Sequence, residues 1–151
     1  MMNSALMVLG TPVKNLHYFI EQFLSISNGT LVLHLVLSRK NKGIEAAYFK
    51  EFLKRGLLRL HVLKHGSIDE AMELFVDIDP SILILFLADS CGGLFIPLAR
   101  SRSIPIYSYA LNCFNYVCEG FYSSNIDILL SALRREFDYA KRGNLYMVWN
   151  C

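Results

Sequence analysis

Apolar residues along this chain recur at two different periods, and each change of period marks an element. Leu16, Phe19, Ile20, Phe23 and Leu24 fall at helical spacing and predict an amphipathic helix that Ser27-Asn28-Gly29 stops. Thr30–Leu37, TLVLHLVL, is β-rich and apolar on both faces apart from His34. Such a run suits a strand covered on both sides by helices. Ser38–Gly43 is a polar loop, and Ile44, Tyr48, Phe49, Phe52 and Leu53 then mark a helix ended by Gly56. Leu57–Leu63 predicts a strand in which Arg59 and His61 interrupt the apolar positions, a mixture that fits an edge-ward place. Ser67-Ile68-Asp69-Glu70 is a capping box, and Ile68, Ala71, Met72 and Phe75 are the expected buried stripe of its helix. Asp79-Pro80 ends that segment, because the residue before proline avoids the α region.

Ile82–Leu87, ILILFL, is the most continuous apolar run and predicts a strand buried on both faces. Cys91-Gly92-Gly93 is a turn, Leu94–Arg100 a short helix despite Pro97, and Ile106–Ala110 a strand. Phe114–Cys118 fits a short fifth strand. Ser124 with Asp127 caps a last helix whose stripe is Ile126, Leu129, Leu130, Leu133 and Phe137, closed by Gly143. Strands and helices alternating in this way predict an α/β fold. The expected form is a three-layer, doubly wound parallel sheet of about five strands with an extra N-terminal helix. On this reading residues 1–29 are a helical extension, 30–142 the domain, and 143–151 an apolar tail.

Composition narrows the class. With 54% apolar and 19% charged residues over 151 positions, the chain can bury a real core and is not disordered. A net charge of +2 and one short basic run, Arg39-Lys40-Asn41-Lys42, speak against a dedicated nucleic-acid binder. Cys91, Cys113, Cys118 and Cys151 form no C-x-x-C pair and no common zinc spacing, so reduced core thiols in a cytoplasmic protein are expected. The apolar stretch Met1–Leu9 lacks a basic flank and is too short to span a bilayer, so neither a leader nor a membrane segment is expected. No metal or cofactor motif stands out.

Four segments carry a family likeness. Ser67–Phe75, Pro80–Phe86 followed by Gly92-Gly93, Ile104-Pro105-Ile106, and Asn115–Phe121 before a capped helix resemble, in order and spacing, the receiver domain of two-component response regulators. The resemblance implies a flavodoxin-like fold, yet the reactive groups of that family are missing. The metal-binding acidic pair falls on Ser38, Arg39, Lys40 and Asn41. The phosphorylated aspartate falls on Phe86, with Asp89 three residues beyond, and the lysine falls on Glu119. A phosphoryl-transfer site needs those charges. The likeness therefore implies a pseudo-receiver, a non-enzymatic signalling module without a cofactor. Its degenerate pocket would comprise Arg39, Lys40, Phe86, Asp89 and Glu119.

Such a module would bind a protein partner. Tyr109, Phe114, Tyr116 and Phe121 are the candidate contact residues, and the N-terminal helix or the tail around Tyr146 and Trp149 could pair two copies. The alternative is an RNA-binding domain. Lys64–Leu74 and Leu85–Cys91 also look like the ribosomal L7Ae/L30e type, whose RNA-contacting segment falls on Gly66-Ser67-Ile68-Asp69. Plainer readings compete with the remaining candidates. A solvated loop explains Arg39, Lys40 and Lys42, a turn explains Gly92-Gly93, and a satisfied core residue explains His34. His61 and His65 share a strand face without a third ligand, and Cys91 has no histidine placed to activate it.

Overall fold

Ser4–Leu9, six residues at the start of the chain, form β1, and this strand is hydrogen-bonded on both sides. The computed structural model describes residues 4–10, 16–38, 49–86, 90–109, 120–122 and 126–141. After β1 come α1 (Leu16–Ser27), β2 (Val32–Ser38), α2 (Lys50–Lys54), β3 (Leu58–Leu63), α3 (Ile68–Ile78) and β4 (Ile82–Phe86). Then follow α4 (Ser90–Gly93), α5 (Ile96–Ser101), β5 (Ile106–Tyr109), β6 (Gly120–Tyr122) and α6 (Ile126–Lys141). The strands make one parallel sheet in the order β3-β2-β1-β4-β5-β6.

A parallel sheet needs cover on both faces, and the sequence supplies it. Ala5, Met7 and Leu9 share one face with Leu33, Leu35, Leu37, Ile82, Ile84 and Phe86, packed against Phe19 and Phe23 of α1, Phe52 of α2 and Leu133 of α6. Leu6, Val8, Val36, Leu83 and Leu85 point the other way, onto Ala71, Phe75 and Ile78 of α3 and Ala99 of α5. The doubly wound three-layer α/β class expected from the pattern is therefore present. β3 lies at an edge, as its interrupted apolar run suggested.

Local chemistry explains the boundaries. Asn28 and Gly29 take left-handed backbone (φ 55° and 71°) and turn the chain out of α1, while Gly56 (φ 73°) does the same after α2. Ser67 Oγ accepts from the Glu70 N–H at 3.2 Å, the expected cap. The Glu70 carboxylate reaches further back than a capping box requires and accepts from the N–H groups of Lys64, His65 and Gly66. Partial desolvation works against its charge, but these three bonds and nearby His65 outweigh that and hold its pKa below the ordinary value. Pro97 is tolerated because it lies in the first turn of α5, where its missing N–H has no helical partner to lose.

Two expectations are corrected here. The segment expected as a helical extension contains β1, in the middle of the sheet, and α1, whose Phe19 and Phe23 are fully buried in the chain's own core. The stripe expected on α3 is also displaced. Ala71 and Phe75 are buried, but Ile68 and Met72 face outward, because Ala71, Phe75 and Ile78 make the contact with the sheet. The expected strand at 114–118 and the tail from 143 lie outside the described residues. Among the described residues no helix is long and apolar enough to cross a membrane.

Candidate functional site

The strand order reverses between β1 and β4. From β1 the sheet grows through β2 to β3 on one side, and from β4 through β5 to β6 on the other. At such a point the connections leave in opposite directions and open a crevice outside the carboxyl ends of the strands, where doubly wound sheets hold ligands. The order 3-2-1-4-5-6 is the one associated with nucleotide binding.

The residues that border this crevice follow from the two central strands. Gly10 continues β1, is buried, and donates its N–H to the Phe86 carbonyl at 3.2 Å, tying the ends of β1 and β4 together. The chain then leads into α1, whose first turn lies at the same edge and carries no acidic residue. A helix start carries a partial positive charge that favours anions. His17 in that turn is exposed and sets its ring edge-on to Phe52, centroids 4.8 Å apart. On the β4 side α4 begins at Ser90 and lies close against β1.

Of the residues expected as a degenerate phosphorylation pocket, Phe86 is the one that falls among the described residues. Phe86 is fully buried on the α1 face of the sheet, its ring 5.1 Å from that of Phe19, and its side chain is core rather than crevice. Arg39, Lys40, Asp89 and Glu119 lie outside the described residues. Of the expected contact residues, Tyr109 ends β5 and Phe121 lies in β6, opposite Ser108. Phe114 and Tyr116 lie outside the described residues.

Two polar clusters escaped the sequence reading. His34 of β2 and His61 of β3 meet on the α3 face, Nδ1 to Nε2 at 2.9 Å, with centroids 5.1 Å apart and planes 21° from parallel. That combination is an in-line, nearly coplanar hydrogen bond, one ring donating and the other accepting. Burial, then His61 and Arg59, lower the His34 pKa to about 4, and burial with Arg59 also lowers that of His61. The second cluster joins β5 to α6: buried Tyr107 donates its hydroxyl to Oε1 of buried Glu136 at 2.9 Å. No group of three or more His, Cys, Asp or Glu able to hold a metal occurs among the described residues.

The histidine pair makes stability depend on pH. Both imidazoles have folded-state pKa values below the unfolded value of about 6.5. Their contribution is therefore full above pH 6.5 and is lost as pH falls toward 4, where the unfolded chain binds protons that the native pair refuses. Denaturant midpoints measured from pH 7 to pH 4.5 should fall, and His34→Leu should flatten that slope. Equal slopes in the two proteins would remove the pair as the cause.

Comparison with solved structures places this architecture. The chain superposes on the glycosyltransferase GlyE of Streptococcus pneumoniae TIGR4 with a TM-score of 0.54 and 12% identity, covering 90% of this chain and 32% of that one. The apo form of GlyE gives 0.54 and 14%, covering 90% and 33%. The apo lipopolysaccharide outer core galactosyltransferase WaaB gives 0.56 and 14%, covering 93% and 41%. At these identities the likeness shows the fold. This chain spans about a third of GlyE and two-fifths of WaaB. No protein-family model and no characterised protein sequence matches it.

These neighbours overturn the receiver resemblance. With β1 in place, Ile82–Phe86 is the fourth strand rather than the third, and the alignment that set Phe86 at an acceptor aspartate has no basis. The expectations of a non-enzymatic signalling module and of a response-regulator role fall with it, since the shared fold is that of glycosyltransferases. The L7Ae/L30e alternative falls as well. Its proposed RNA segment, Gly66-Ser67-Ile68-Asp69, is the capped start of α3, with the Gly66 N–H already bound by Glu70.

Proposed function

We propose that this chain is a nucleotide-sugar-binding domain of a glycosyl-transferring enzyme, with its ligand in the crevice outside β1 and β4. The observation that carries this reading is the strand order, which puts the reversal point, buried Gly10 and the first turn of α1 at one edge. Two supports meet there. The order 3-2-1-4-5-6 favours a nucleotide whose phosphates face a helix start. The glycosyltransferase names of the structural neighbours supply the sugar. The backbone at Gly10 offers close approach, the start of α1 offers anion binding, and His17 offers an exposed donor beside the phosphates. A cytoplasmic location accords with such a donor.

Binding rather than turnover is the suitable readout, because the chain spans only a third to two-fifths of those enzymes. Thermal unfolding should be followed with UDP, UDP-glucose, UDP-galactose, ADP and NAD. A nucleotide sugar at about a hundred times its Kd should add about 2.7 kcal/mol of stability. His17→Glu, which sets a carboxylate at the helix start, should keep the fold and lose most of that gain. No stabilisation by any of the five would overturn the proposal.

A further inference from the structure

Among the described residues five large apolar side chains are exposed: Tyr18, Leu53, Ile68, Met72 and Val76. Tyr18 spends its hydroxyl on Asp127 at 2.7 Å, and Leu53 stands by itself on α2. The other three form a row on α3 at a spacing of four residues, exposed by 45%, 46% and 53%. Residues four apart on a helix make a continuous ridge. A soluble helix normally turns such a ridge inward, and α3 instead buries Ala71, Phe75 and Ile78.

The charges that α3 itself sets beside the row are of one sign. Asp69, Glu73 and Asp77 are exposed and each follows a ridge residue by one position, so a line of carboxylates runs along the apolar line. None of the three has an ion-pair partner among the described residues. The helix's other carboxylates differ: Glu70 is bound by the preceding loop, and Asp79 just beyond pairs with Arg102 at 3.0 Å. α3 contains no basic residue at all.

We infer that this face of α3 is a docking site for an amphipathic helix of a partner protein that carries Lys or Arg beside its own apolar row. The ridge covers two helical turns, about 12 Å, and a second helix can seat its own ridge in the adjoining groove. The unpaired carboxylates select basic flanks and reject acidic ones. They also argue against a second copy of this chain pairing through the same face, since a two-fold contact would set carboxylates against carboxylates.

The test uses two synthetic amphipathic helices of identical apolar row, one flanked by Lys and one by Glu, each fluorescently labelled. Anisotropy should show saturable binding of the Lys-flanked helix to the intact protein and none of the Glu-flanked one. Met72→Glu, an exposed site whose fold circular dichroism would verify, should weaken binding at least about tenfold. Reversing all three charges (D69K, E73K, D77K) should invert the preference between the two helices. Equal binding of both probes, absence of binding by the Lys-flanked probe, or unchanged affinity in Met72→Glu would overturn the inference. Self-association of the protein abolished by Met72→Glu would do so too, by making the occupant a second copy.

Discussion

Phe86→Ala is expected to destabilise the protein by about 3–5 kcal/mol, and Phe86→Asp to prevent folding. The ring is fully buried at the end of β4, against Phe19, in the larger of the two apolar clusters. Removing it leaves a cavity under the sheet that its close-packed neighbours cannot fill. Against a typical net stability of about 5–15 kcal/mol, alanine leaves a marginal fold and a buried carboxylate leaves none. The aspartate variant separates two readings of the same residue. In a receiver frame it would restore an acceptor in a solvated pocket and be tolerated. In the observed fold it puts a charge into a dry core. Circular dichroism and urea denaturation of both variants decide the matter, and a stably folded Phe86→Asp protein would contradict the placement of this side chain.

Deleting residues 1–10 should abolish cooperative folding. Ala5 to Leu9 are each at most 1% exposed, and their strand is bonded to β2 on one side and β4 on the other. Burying a Leu, Val or Met side chain stabilises by about 1.5–3 kcal/mol, so the four larger residues of β1 together rival the whole net stability. The loss also splits the sheet, since β2 and β4 have no other strand between them. Were residues 1–29 an appendage, the remaining chain would still melt in one sharp transition. The observed topology predicts a broad or absent transition and exposed apolar surface.

Why β1 escaped the sequence reading is a matter of burial. SALMVL is covered on both faces, so it carries no alternation, and a run of six residues, five of them apolar, is too short to separate strand from helix by period. Ile82–Phe86 is just as featureless, yet the capped helix before it and the alternating elements around it gave it a context. Missing one strand shifted every later strand by one place. That shift produced the receiver resemblance, because the spacing from α3 to β5 is common to doubly wound folds and says little about which strand is first.

Elements with local chemistry were legible. Ser67 and Gly56 act where the pattern put them, and so does Asn28-Gly29. The site was not legible, for a different reason. A crevice at a reversal point belongs to the order of strands in space, which no single residue encodes. The His34–His61 pair is similar: the two positions meet through the β2–β3 register, His34 opposite Arg59 and Val36 opposite His61. On α3 the expected stripe was displaced: Ile68 and Met72 are exposed, while Ile78, which the stripe left out, is buried against the sheet.

The central place of β1 has a consequence for how the protein is made. Met7 pairs with Leu35 on one side and with Ile84 on the other, so its two neighbours leave the ribosome at very different times. A nascent chain can cover one edge of β1 early, once β2 has emerged. The second edge stays open, apolar and unpaired until β4 arrives, and contacts so distant in sequence close slowly. During that interval the first strand is the segment most exposed to wrong pairing, and it is where a holding chaperone has the most to protect.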